Sequence, residues 1–153
     1  MPANILFLFP DQYRFDHLGF RDDVPVKTPN LDALAAGGTV FDRCYTPSPL
    51  CSPARACLAL GVNYEQCGVP NNRHSIDVNR PTIYRHLRDA GCRTGSLGKL
   101  DLAKGEQFWG KDNGGRHHMR EWGFTDGFDN AAKYDAVNCY RANGYRAGAP
   151  YMA

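Results

Sequence analysis

Asn4-Ile5-Leu6-Phe7-Leu8-Phe9-Pro10-Asp11-Gln12 decides how the rest of the chain is read. An apolar run without polar alternation implies a strand covered on both faces, which is the pattern of a parallel sheet packed between helices. Pro10 ends it, and the carboxylate of Asp11 is delivered at the carboxyl end of the strand. Moving outward, Thr28 precedes Pro29 at a first helical position, and Leu31, Leu34 and Ala35 keep helical spacing until Gly37-Gly38. Residues 39–45 alternate as a second strand, and Pro47 and Pro49 force an extended connection to Cys51. Ser52 is then expected as an N-cap with Pro53 at the first helical position, opening a helix over 54–60 that Gly61 stops. Another helix is predicted from Pro81 or Thr82 to Ala90, with Ile83, Leu87 and Ala90 on one face and Gly91 as its stop. Residues 93–100 return as a strand. Strands alternating with helices make an α/β fold with parallel pairing, in which ligands gather at the carboxyl ends of the strands. From Ala103 to Gly127 the glycines at 105, 110, 114, 115 and 123 interrupt every apolar periodicity, so this stretch reads as loop.

The 153 residues match one domain that can bury roughly two-thirds of its unfolded surface. With 42% apolar and 22% charged residues, composition excludes disordered and fibrous classes. A formal charge of +2 without a long basic run argues against a nucleic-acid partner, so any anion affinity is local. Ile5 to Phe9 is too short to span a membrane. It also lacks the basic flank and cleavage site of a signal peptide, so a cytoplasmic location and no membrane partner are expected. The six cysteines (Cys44, Cys51, Cys57, Cys67, Cys92 and Cys139) are read as thiols, and no CxxC pair argues for zinc.

The sharpest chemical signal is Pro49-Leu50-Cys51-Ser52-Pro53-Ala54-Arg55. A nucleophile at a helix N-terminus is stabilised as an anion, and an arginine one turn along can hold that charge by a directed hydrogen bond. A buried structural cysteine is the competing reading for an isolated match of this kind.

This stretch resembles the C-x-P-x-R core of type I sulfatases, of the alkaline phosphatase superfamily, and three further elements follow the family's order. Residues 4–16 resemble its opening strand and metal loop, Thr28-Pro29-Asn30-Leu31-Asp32 its next helix, and Gly98-Lys99 its later G-K element. The resemblance implies an alkaline-phosphatase-like α/β fold, a central mostly parallel sheet flanked by helices, of which residues 1–153 would be a truncated N-terminal portion. It implies that a formylglycine-generating enzyme converts Cys51 to formylglycine, the nucleophile toward a sulfated small molecule or glycan. Asp11, Gln12 and modified Cys51 would hold a divalent cation, calcium by preference with magnesium or manganese as alternatives. Gln12 stands where many members have a second aspartate, but its carbonyl suits a hard cation. Arg55 would orient residue 51 and Lys99 would hold a sulfate oxygen.

Asp101 stands where the family places a substrate-contacting histidine, which puts proton donation to the leaving oxygen in question. His74, His86 and His117-His118 are candidate replacements, read more readily as surface residues. Asp112-Asn113 imitates the family's second metal pair but follows no buried strand, and is set aside. Two other functions stay open: phosphonate or phosphate ester hydrolysis by the same site, and non-catalytic anion binding. The oligomeric state is open as well.

Overall fold

The computed structural model describes residues 4–106 and 118–129. Two compact units divide at residue 44.

In the first unit, α1 (Pro29–Ala36) starts with proline at its first position, where the missing N–H costs nothing, and ends at Gly37. Thr28 precedes the helix, yet its hydroxyl serves the turn before it. Oγ1 accepts from the Gly19 N–H at 2.7 Å and donates to Asp32 Oδ1 at 2.7 Å, and the same carboxylate oxygen accepts from the Phe20 N–H at 3.1 Å. Gly19 suits this approach, because a Cβ there would lie 2.8 Å from Asp32 Oδ2 and the carboxylate would have to shift.

The expected strands at 4–9 and 39–45 are not formed. Ile5 is 84% exposed and Leu6, Phe7 and Leu8 are exposed beside it, as are Val40, Phe41 and Tyr45. An apolar pattern specifies burial, but a strand exists only when a neighbouring strand exchanges backbone hydrogen bonds with it. Neither described strand of the molecule lies in this unit.

The second unit is built around α2 (Cys51–Leu60), which begins two residues earlier than the sequence suggests. Leu50 rather than Ser52 occupies the N-cap, its carbonyl accepting from the Ala54 N–H at 3.1 Å, and Pro53 falls at the third helical position. All three early positions leave N–H groups without intrahelical partners, so proline is tolerated there too. The Ser52 N–H is satisfied from outside the helix by Asn72 Oδ1 at 2.9 Å. Gly61 ends α2 in the left-handed region, φ 65°, donating to the Cys57 carbonyl at 2.8 Å.

α2 packs with α3 (Tyr64–Cys67), and Ala56, Cys57 and Ala59 of the first and Cys67 of the second belong to one buried cluster. Val69, Ile76, Leu102, Met119, Trp122 and Phe124 complete the buried cluster. α4 (Ile83–Asp89) occupies the predicted place, and Thr82 caps it by accepting from the Arg85 N–H at 3.1 Å. The same hydroxyl donates to the Trp122 carbonyl. This ties α4 to α5 (Met119–Trp122), a single turn inside the stretch read as loop. Arg85 and Arg88 reinforce the tie by donating to the Glu121 and Arg120 carbonyls at the end of α5.

β1 (Gly95–Gly98) lies where a strand was expected and pairs in parallel with β2 (Asp126–Asp129), in register Gly95↔Asp126 to Gly98↔Asp129. The result is a small mixed α/β fold with a two-stranded parallel sheet flanked by helices. β2 corrects the loop reading of 103–127 at its C-terminal end. Gly127, whose φ is 113°, hid it from a propensity argument, although a Cβ at this position would sit 1.8 Å from the Ser96 carbonyl oxygen. Only glycine lets the two strands approach here. No described helix is long and apolar enough to cross a membrane.

Candidate active site

β1 and β2 run in the same direction, so their carboxyl ends, Gly98 and Asp129, open on one side of the sheet. The chain leaves β1 through Lys99 and Leu100 and turns at Asp101, whose φ of 56° is left-handed. Here it meets the N-terminus of α2. Lys99 Nζ donates to Cys51 Sγ at 3.3 Å. The Arg55 guanidinium, one turn into α2 and only 7% exposed, donates to the Lys99 backbone carbonyl. Arg55 therefore holds the backbone that carries the lysine. Cys51 is half-buried, Ser52 and Pro53 beside it are buried, and the ten-residue helix behind them directs its positive end at residue 51.

Asp101 is 0% exposed. Its Oδ2 faces two ammonium groups, Lys104 at 2.8 Å and Lys99 at 3.4 Å, while its buried Oδ1 has no hydrogen-bond partner among the described residues. A buried carboxylate is tolerated when paired in this way, and the pairing also fixes the Lys99 ammonium. Asp129 joins the cluster from the end of β2, with Oδ1 accepting from the Leu100 N–H at 2.7 Å. Burial pushes its carboxyl up to about 7. The Leu100 N–H opposes that shift, the nearby Asp101 charge adds to it, and the Asp101 N–H and Arg55 oppose it.

Of the residues singled out from sequence, Cys51, Arg55, Lys99 and Asp101 are thus brought together. Asp129, Lys104 and Asn72 were missed, because no local pattern marks a lone polar residue at a strand end or in a turn. Asp11 and Gln12 belong to the first unit. Both are exposed there, and Gln12 is left-handed at φ 56°. Among the described residues no group of three His, Cys, Asp or Glu side chains is arranged to hold a metal ion. The carboxylate and the amide oxygen are right in kind for a hard cation but supply too few of the 6–8 oxygens calcium takes. His74 Nδ1 is engaged by Asn71 Oδ1 at 2.8 Å, and the His118 ring meets Trp122 edge-on at 5.6 Å. His117 and Asp112-Asn113 lie outside the described residues.

The sulfatase family profile matches residues 3–149, and the chain belongs to the type I sulfatases of the alkaline phosphatase superfamily. An uncharacterized sulfatase of Escherichia coli, YidJ, is 37% identical over 107 residues, covering 70% of this chain and 21% of its own length. Human arylsulfatase A is 36% identical over 112 residues, 69% of this chain and 22% of its own. The N-acetylgalactosamine-6-sulfatase of Sus scrofa is 45% identical over 134 residues, 79% of this chain and 25% of its own. The chain thus spans about a fifth to a quarter of the length of these relatives. No solved structure matches.

Proposed function

We propose that the chain supplies the N-terminal portion of a sulfuric ester hydrolase, with residue 51 as its nucleophile position. The observation that carries this reading is the 3.3 Å approach of Lys99 Nζ to Cys51 Sγ at the start of α2. An ammonium group beside the helix N-terminus makes a pocket for an anionic oxygen, and Arg55 keeps it in place through the Lys99 carbonyl. Formylglycine at residue 51, made by a formylglycine-generating enzyme, supplies a hydrated aldehyde as the attacking oxygen. Asp11 and Gln12, with further oxygen ligands, would hold a divalent cation, calcium by preference, which supplies charge neutralisation at the sulfate oxygens. Asp101, buried where the family has a histidine, orients the Lys99 ammonium toward the substrate. β1 and β2 would then form part of a larger, mostly parallel alkaline-phosphatase-like sheet. The substrate is a sulfated small molecule or glycan.

The test is turnover of an aryl sulfate against the matching aryl phosphonate by the full-length protein after confirmed conversion of residue 51. Preference for the sulfate supports the reading, and preference for the phosphonate moves the activity to phosphonate or phosphate esters. A second reading, anion binding without catalysis, is favoured by Asp101, because a buried carboxylate between two lysines neutralises charge that a substrate would otherwise meet. Absence of turnover on both substrates, with residue 51 converted, would select it.

A further inference from the structure

We propose that Asp129 is a positioning residue for this site: its carboxylate, at the end of β2, holds the backbone turn that presents Lys99 to residue 51. This inference rests on the sulfatase reading only for the reaction it serves. The described ladder reaches the pair Gly98↔Asp129, and the turn that follows β1 leads from it to the site. Side chains hold the backbone of that turn. Asp129 accepts from the Leu100 N–H at 2.7 Å and from the Asp101 N–H, while Arg55 donates to the carbonyl of Lys99 from the opposite element. The two amides captured by Asp129 sit between and beside the two residues whose placement matters, Lys99 and Asp101.

The left-handed conformation of Asp101 makes such support necessary. At φ 56° an aspartate sits in a less favoured region of backbone space, so hydrogen bonds to the turn help to hold it there. Two charged groups act on Asp129: Asp101 raises the energy of its ionised form, and Arg55 from α2 lowers it. Burial holds the carboxyl near neutrality in titration, so the turn keeps an acceptor in either protonation state, since one oxygen of a protonated carboxyl still accepts.

The experiment uses the full-length protein with Asp129→Leu, which fills a similar volume and cannot accept, and Asp129→Asn, whose carbonyl can. Deuterium exchange at the Leu100 amide, resolved by fragmentation mass spectrometry, reads the geometry. Steady-state kinetics on an aryl sulfate read the consequence. In Asp129→Leu the Leu100 amide should exchange about tenfold faster or more, the loss of one hydrogen bond. kcat and kcat/KM should fall together by roughly tenfold or more, as for an interaction made in the transition state. Asp129→Asn should restore both. A merely structural role would lower stability in both variants without this rescue. Unchanged Leu100 protection in Asp129→Leu, or Asp129→Asn falling as far as Asp129→Leu, overturns the proposal. If the wild-type protein shows no sulfate turnover, the sulfatase reading fails and the amide result alone decides the inference. Should Asp129→Leu not fold, Asp129→Ala carries the same comparison.

Discussion

Lys99 Nζ stands 3.3 Å from Cys51 Sγ although 48 residues separate them in the chain. Two independent ties create that contact: the Arg55 guanidinium on the Lys99 carbonyl, and the buried Asp101 carboxylate 3.4 Å from the Lys99 ammonium. A lysine held at both ends gives up the rotamer freedom that a solvated lysine would keep.

Lys99→Ala and Cys51→Ala in the full-length protein should therefore lower turnover by orders of magnitude while thermal stability changes by no more than about 1–2 kcal/mol. Arg55→Ala should cost both, because it removes a buried guanidinium as well as the grip on Lys99. Turnover assays paired with thermal unfolding separate the cases. Near-normal turnover in Lys99→Ala would remove that lysine from the site.

Asp129 gives a pH dependence whose sign follows from its raised titration. The folded chain keeps the proton to about pH 7, whereas the unfolded chain releases it near the ordinary 3.8, so the contribution is full below the lower value and is lost as pH rises through the upper one. Asp129→Asn has no such loss. Its stability relative to wild type should rise between about pH 4 and 7 and level off above, by up to about 4 kcal/mol. Chemical denaturation at a series of pH values measures it, and a pH-independent difference would contradict the assignment.

Gly127 should tolerate no side chain. At φ 113°, with the Ser96 carbonyl oxygen 1.8 Å from where a Cβ would stand, Gly127→Ala must part the two strands just before the site. A loss of at least about 3 kcal/mol is expected in denaturant unfolding. A loss below about 1 kcal/mol would mean that the sheet can shift to accept it.

These cases show what the sequence made legible and what it did not. α1, α4 and β1 lie where proline, threonine and glycine punctuation placed them, because those signals act locally. Cys51 and Arg55 were singled out by the motif they share and Lys99 by the family resemblance of Gly98-Lys99; the structure brings the three together, with Arg55 donating to the Lys99 carbonyl. Residues 4–9 failed as a strand because pairing is not a property of one segment. Asp129 was invisible because its role is to accept hydrogen bonds from a turn 29 residues away.

The thiols offer a further check. Burial raises Cys57 well above the ordinary thiol range, with Cys67 beside it adding to the effect, while Cys44 and Cys92 are exposed. In native protein near pH 8, a thiol reagent should modify Cys44 and Cys92 first and reach Cys57 and Cys67 only on unfolding. Fast modification of Cys57 would show that the contact between α2 and α3 opens readily.

Calcium binding tests how much of the metal site the chain holds. Asp11 and Gln12 provide too few oxygens, so the isolated 153-residue chain should bind calcium weakly by calorimetric titration. Tight binding would redirect attention to Asp112 and Asn113 as ligands.

The central claim is that residue 51 acts as formylglycine, and the mass of the peptide carrying residue 51, taken from a catalytically active full-length preparation, tests it most directly. The account predicts the mass decrease that accompanies conversion of the thiol-bearing carbon to an aldehyde, in proportion to the active fraction. A fully active preparation in which residue 51 is entirely cysteine would contradict it.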